Sequence, residues 1–169
     1  VKREPGSDPA AGAYVAYPRK GLHDWIGSID INSLYPSVIR ALNMGNENIV
    51  GQLRQDMTEH LLDERMNIEK KSFASAWEGE FGTQEYQAVM RKDRAQSITI
   101  DWENGESNIL SAAEVHDLIF EQGHPWFLSA NGTIFSHEFA GVIPGLLERW
   151  YAERKEMQGK LQQAIQAGN

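Results

Sequence analysis

The stretch "WIGSIDINSLYPSVIR", residues 25–40, changes period halfway along. Its first half, Trp25 to Ile31, is apolar and β-branched apart from Gly27, Ser28 and Asp30, which predicts the strongest strand of the chain. Side chains alternate along a strand, so Trp25, Gly27, Ile29 and Ile31 are expected on one face and Ile26, Ser28 and Asp30 on the other. From Ser33 the pattern turns helical. Ser33 is a cap candidate for a helix over 34–43, and Pro36 falls in its first turn, where a missing N–H costs little. Asp30 is thereby delivered at a strand's carboxyl end beside a helix N-terminus.

That placement has chemical content. Backbone N–H groups around Ser33, Leu34 and Tyr35 would face an anion placed at the helix start. A carboxylate for a divalent cation, next to donors for phosphate oxygens, is what a magnesium-bound triphosphate requires. The alternative reading makes Asp30 a helix cap and Tyr35 a filler of core or surface.

Working outward, "VKREPGSDPAAG" (1–12) is rich in Pro, Gly and charge and reads as a linker or lead-in. "AYVAY" (13–17) predicts a short strand beside 25–31. Residues 46–95 are polar and helical in pattern: Asp56 and Glu59 suggest a cap, Met57, Leu61 and Ile68 form a stripe, and a second short helix is expected over 84–92 with Tyr86, Val89 and Met90 inward. "SITIDWENGESNIL" and "WFLSANGTIFS" each place Asn-Gly between alternating runs, which predicts two hairpins with two-residue turns. Between them, Ser111 and Glu114 make a capping box for a short helix stopped by Gly123. Pro144 opens the longest expected helix, with apolar Leu147, Trp150, Met157, Leu161 and Ile165.

Composition bounds the rest. A chain of 169 residues with 41% hydrophobic content has room for one domain with its own core. The net charge of -8 argues against a broadly basic surface, although an acidic total is compatible with a locally basic channel and a metal site needs carboxylates. The absence of cysteine excludes disulfides, thiolate zinc sites and Cys nucleophiles, and suits a cytosolic protein. The five histidines lack ligand spacing, so no structural metal is assigned. No apolar run is long enough to span a membrane. The sequence starts without Met and reads as a piece of something longer.

The full string "GAYVAYPRKGLHDWIGSIDINSLYPSVIR", residues 12–40, resembles the first palm motif of family B DNA polymerases with its G-x-Y-V and P-x-x-G-L lead-in. "NGTIFSHEFAGVIPGLLERWYAERKEMQ", residues 131–158, is similar to that family's connection from palm to fingers, in the same order and direction. The resemblance implies an α+β fold: part of a polymerase palm, a mostly antiparallel sheet with packed helices, plus the first long fingers helix. It divides the chain into a lead-in (1–12), palm with the first catalytic motif (13–45), a helical and hairpin insert (46–130), and the palm-to-fingers connection with the fingers helix (131–169).

The resemblance also implies roles. Asp30 is the catalytic carboxylate that binds Mg2+, two ions serving the complete enzyme, and Ile31 lends a backbone carbonyl to one of them. The backbone of Ser33, Leu34 and Tyr35 holds the incoming deoxynucleoside triphosphate, with the Tyr35 ring under the sugar. Arg154 matches the arginine of phage replicative members that binds the outer phosphates; the bland alternative is an arginine whose stem lies on the core with its head in water. Where those members carry a lysine one turn later, this chain has Gln158.

The second fingers motif and the D-T-D palm motif with the partner acid are missing, so the chain alone is expected to be inactive. It is expected to work with the remaining polymerase sequence or a second polymerase chain, on primer–template DNA, in a cytoplasm (a host's, if phage-encoded). The competing expectation is a non-catalytic interaction module of a replication complex, with the insert as its contact surface.

Overall fold

A computed structural model describes residues 17–168. The expected lead-in at 1–12 and most of the expected strand at 13–17 lie outside them. Among the described residues the fold is α+β. A five-stranded antiparallel sheet runs in the order β3-β2-β1-β5-β4, from β1 (Ile49–Leu53), β2 (Ser97–Trp102), β3 (Ser107–Ser111), β4 (Trp126–Leu128) and β5 (Thr133–Ser136). The helices are α1 (Leu34–Ala41), α2 (Asp56–Asn67), α3 (Phe73–Ala76), α4 (Gln84–Met90), α5 (Ala112–His116) and α6 (Val142–Gln166).

The core follows from strand alternation. Leu53, Ile98, Ile100, Leu128 and Ile134 turn one way from the sheet and meet Ala88 and Val89 of α4, Ala112 and Val115 of α5, and Ile119 of the π-helical turn Asp117–Glu121. Leu53, Val89, Ile100, Val115 and Ile134 are wholly buried. The capping box is present at α5: Ser111 and Glu114 satisfy each other's backbone N–H groups. A bulge at Val50 shifts the β1–β5 register between Ile49 and Gly51. β1 and β2 lie before residue 130 and β5 after it, so one ladder joins the middle of the chain to the segment leading into α6.

Both hairpins form, with turns one residue longer than expected. Trp102 N–H donates to Glu106 O at 2.8 Å and Ser129 N–H to Thr133 O at 2.9 Å, leaving Glu103-Asn104-Gly105 and Ala130-Asn131-Gly132 as the loops. Asn104 and Asn131 are absent from the residues with positive φ, whereas Gly105 (84°) and Gly132 (85°) have it. Each loop is therefore a three-residue turn with glycine in the left-handed position, because a two-residue type I′ turn would need both central residues there.

The expected strand at 25–31 does not form. The segment pairs with no strand among the described residues and is exposed: Trp25 102%, Ile29 98% and Ile31 63%. An apolar alternating run becomes a strand only when a neighbour completes its ladder, and Trp25, at φ 58°, also interrupts extended geometry. Asp30 is exposed, but not at a strand's end.

At α2, Asp56 and Glu59 do not make the cap. Glu85, buried on α4, reaches across instead: its Oε1 accepts from Met57 N–H at 2.7 Å and Thr58 N–H at 3.2 Å, and its other oxygen accepts from the Thr58 hydroxyl. The orphan donors of one helix are met by an acid from another.

Candidate active site

The segment that carries the expected site is held by its helix, not by a sheet. α1 starts after Ser33, whose φ of 53° and ψ of 49° are left-handed and whose hydroxyl makes no cap bond. Its other end closes on Asn43, also left-handed (φ 53°), with Asn43 N–H to Arg40 O at 3.2 Å and Met44 N–H to Ile39 O at 2.9 Å, the two bonds of a Schellman stop.

Asn43 is also the joint between α1 and α6. Its buried side-chain amide donates to Ser136 O and Phe139 O, both at 2.8 Å, and its Oδ1 accepts from Gly141 N–H at 2.9 Å. Asn48 adds a bond to Phe139 O at 3.2 Å. Glu47 Oε1 accepts from Val142 N–H at 2.6 Å, the first residue of α6, and this backbone donor holds the Glu47 carboxyl below its ordinary range.

From that joint α6 packs along α1. Arg40 Nη2 meets Glu148 Oε1 at 3.4 Å, and its guanidinium lies over the Tyr151 ring at 5.1 Å. One helical step further, Arg154 Nη1 donates to Ser33 Oγ at 3.2 Å. Two expected triphosphate residues 121 positions apart are thus in contact. Arg154 pairs with no carboxylate among the described residues.

The other expected residues flank this contact in sequence. Asp30 and Ile31 precede it in the exposed segment; Leu34 (46% exposed) and Tyr35 (74%) open α1, so the Tyr35 ring fills no core. Trp150, Met157, Leu161 and Ile165 are exposed at 55–65%, and only Leu147 of that expected stripe is half-buried. Lys155 reaches the Tyr151 ring at 4.9 Å and Lys160 pairs with Glu156 at 2.6 Å.

Chemically, the Asp30 carboxylate and the Ile31 carbonyl, expected as metal ligands, would offer only oxygen donors, which suit a hard cation such as Mg2+ but would fill only part of its shell. Among the described residues, the side chains close enough to hold a metal together are elsewhere: His116, Asp117 and Glu121, with ligand atoms within 4.8 Å of one another. Spacing analysis misses this group because a π-helical turn, not an α-helical one, brings residues five apart together. Lys92 Nζ already stands 3.6 Å from both carboxylates. The Asn43, Asn48 and Glu47 joint was missed too; its one legible signal is an asparagine directly after a helical run.

Among the described residues, no helix is long and apolar enough to cross a membrane. No solved structure gives a significant match. A DNA polymerase of Heliothis virescens ascovirus 3e is similar, 29% identical over 91 residues, which cover 54% of this chain and 8% of the viral protein. The chain therefore spans a small part of the length of that relative. The sequence profile described as DNA polymerase family B matches residues 2–168, nearly the whole chain. With a palm-like antiparallel sheet, packed helices and a match of that extent, the chain belongs to DNA polymerase family B.

Proposed function

We propose that this chain contributes the first catalytic aspartate and part of the triphosphate site to a DNA-directed DNA polymerase. The observation that carries the reading is the 3.2 Å contact between Arg154 and Ser33, with the guanidinium free of acid partners among the described residues. A cation meant for phosphate is useful when its donors are not already bound to a carboxylate, and the fork of Arg154 has further N–H groups to offer. In this reading the helix start at Ser33 to Tyr35 and Arg154 grip the outer phosphates from two elements, while Asp30 and the Ile31 carbonyl hold magnesium. The metal ions supply charge neutralisation and activation of the primer hydroxyl. The chain's own residues orient the triphosphate for in-line attack of that hydroxyl on the α-phosphate, with pyrophosphate leaving along the Arg154 side.

The division at residues 12, 45 and 130, the phage replicative subtype, and work in the cytoplasm belong to the same proposal. The boundary at 130 and the phage subtype rest on the resemblance of residues 131–158 to the palm-to-fingers connection, the boundaries at 12 and 45 on that of residues 12–40 to the first palm motif, and the cytoplasm on the absence of cysteine. The partners are primer–template DNA, a deoxynucleoside triphosphate and the polymerase sequence that brings the second acid.

The test is kinetic, in a polymerase containing this chain. Asp30→Ala should reduce nucleotide addition by roughly a thousandfold or more, the equivalent of several kcal/mol. Arg154→Ala should cost about 10- to 100-fold in kcat/KM for the nucleotide, as expected for one charge-assisted contact. Both should leave primer–template affinity unchanged. Normal incorporation by the Arg154 variant would remove that residue from the site.

A further inference from the structure

Apart from the polymerase reading, one pocket is built from groups that the proposed site does not use. Trp102 at the end of β2 and Trp126 in β4 stand with ring centroids 5.8 Å apart, tilted by 47°. Together with Val50, Leu118 and the turn residues Glu103 and Glu106 they line a cavity of about 420 Å³. The ring positions are built in. Gly51 lies directly across the ladder from Trp102, and a Cβ there would stand 2.9 Å from the indole Cε3 and 3.1 Å from Asp101 O. The Trp102 indole N–H is held by Asn108 Oδ1 at 2.6 Å, which fixes the ring. The Trp126 ring carries the stacked imidazole of His124 at 4.1 Å.

The rim has one sign of charge. Glu103 and Glu106 are exposed and pair with no Lys or Arg among the described residues; Glu106 has only a 3.0 Å bond from Asn104 Nδ2. Arg54, the cation of the neighbouring ladder, is already committed to Asp101 at 2.6 Å. Indole faces attract cations through the ring quadrupole, and adjacent free carboxylates add direct charge. A nucleic-acid backbone is excluded by the same two carboxylates. Between the cations, guanidinium fits better than ammonium, because it is planar, stacks on rings and forks to carboxylates.

We propose that the Trp102–Trp126 pocket is a docking site for an arginine side chain on an exposed basic segment of a partner protein. The arginine plane lies on the indoles and its N–H groups meet Glu103 and Glu106. Nothing in this depends on Asp30 or Arg154.

The test uses the 169-residue chain and a twelve-residue alternating Arg-Gly peptide, with the lysine version for comparison. Indole N–H signals of the five tryptophans are followed by NMR, and affinity by fluorescence anisotropy. Shifts are expected at Trp102 and Trp126 but not at Trp25, Trp77 or Trp150, with the arginine peptide binding more tightly. E103Q/E106Q, both on an exposed turn, should weaken binding about tenfold, the scale of two surface charge contacts. D63N/E78Q, which removes two acids elsewhere, should leave it unchanged. Equal weakening by both double variants would reduce the effect to diffuse attraction by an acidic chain and overturn the site. So would unshifted Trp102 and Trp126 signals, or a single-stranded oligonucleotide that shifts them as the peptide does.

Discussion

Ser33 holds a left-handed backbone that few non-glycine residues adopt, and its hydroxyl accepts from Arg154 where it would otherwise cap α1. The residue is spent on a tertiary contact at the expense of its own helix. Tyr35, two residues on, shows the same priority: a large ring left 74% exposed at a helix start rather than turned to the core. Under the proposed function that ring sits beneath the sugar of the nucleotide and excludes a 2′-hydroxyl. Tyr35→Ala in a polymerase containing this chain should raise ribonucleotide incorporation, roughly tenfold or more for loss of a steric contact near 1.4 kcal/mol, with deoxynucleotide addition far less affected. Comparing the two kcat/KM values checks it, and unchanged sugar discrimination would return the ring to a bystander's role.

At the scale of elements, what was legible had local causes. The capping box at Ser111 and Glu114, the Asn-Gly hairpins, the α4 segment and the long helix after Gly141 all rest on residues within a few positions of one another. What failed depended on distant partners. The 25–31 run has strand composition but no ladder to join, and the α2 cap comes from Glu85, 28 residues beyond Met57. Of the residues expected at the site, the described side chains bring Ser33 and Arg154 into contact; the resemblance assigns both to one ligand without implying that contact, and no periodicity relates them. The joint at Asn43 was not legible because its bonds span 93 to 98 positions.

Two outcomes test these elements. A methyl at Gly141 would collide with the Asn48 amide oxygen and stand 3.1 Å from the Pro144 ring, both packed against the joint. Gly141→Ala should therefore destabilise the chain by about 1–3 kcal/mol, measured as a lower urea midpoint. Glu80 gathers Gln87, Arg65 and Gln84 around one carboxylate, at 2.9, 2.8 and 2.9 Å, and these donors hold its titration below the ordinary range. A depressed folded-state value adds stability above the unfolded value, roughly pH 4.3, and loses it as pH falls toward the folded one. The urea midpoint should fall with acidification below that pH, and Glu80→Gln should flatten this part of the curve.

For the whole molecule, catalysis by two metal ions needs carboxylates on both sides of the pair, and under the proposed function this chain brings one, Asp30. The purified 169 residues should show no primer extension with Mg2+ and all four deoxynucleotides, and activity should return on addition of polymerase sequence carrying the second acid. Extension by the chain alone would contradict the assignment of Asp30 as one half of a pair. The exposed apolar residues agree with a molecule that works against further protein: Trp25 and Ile29 before α1, and Met157, Leu161 and Ile165 on α6.

The joint made by Asn43, Glu47 and Gly141 also turns α6 into a lever with its fulcrum at one end. Val142 is fixed there, and Arg154 lies twelve residues along, about 18 Å at 1.5 Å per residue. A rotation of about ten degrees about that fulcrum carries the guanidinium roughly 3 Å, enough to break or make its bond to Ser33, while stretching the hydrogen bonds at the pivot hardly at all. Reach and grip are thereby separated: a 25-residue arm sets how far the charge travels, while the bonds at its base and the Arg40 contacts to Glu148 and Tyr151 along α1 set how easily it swings.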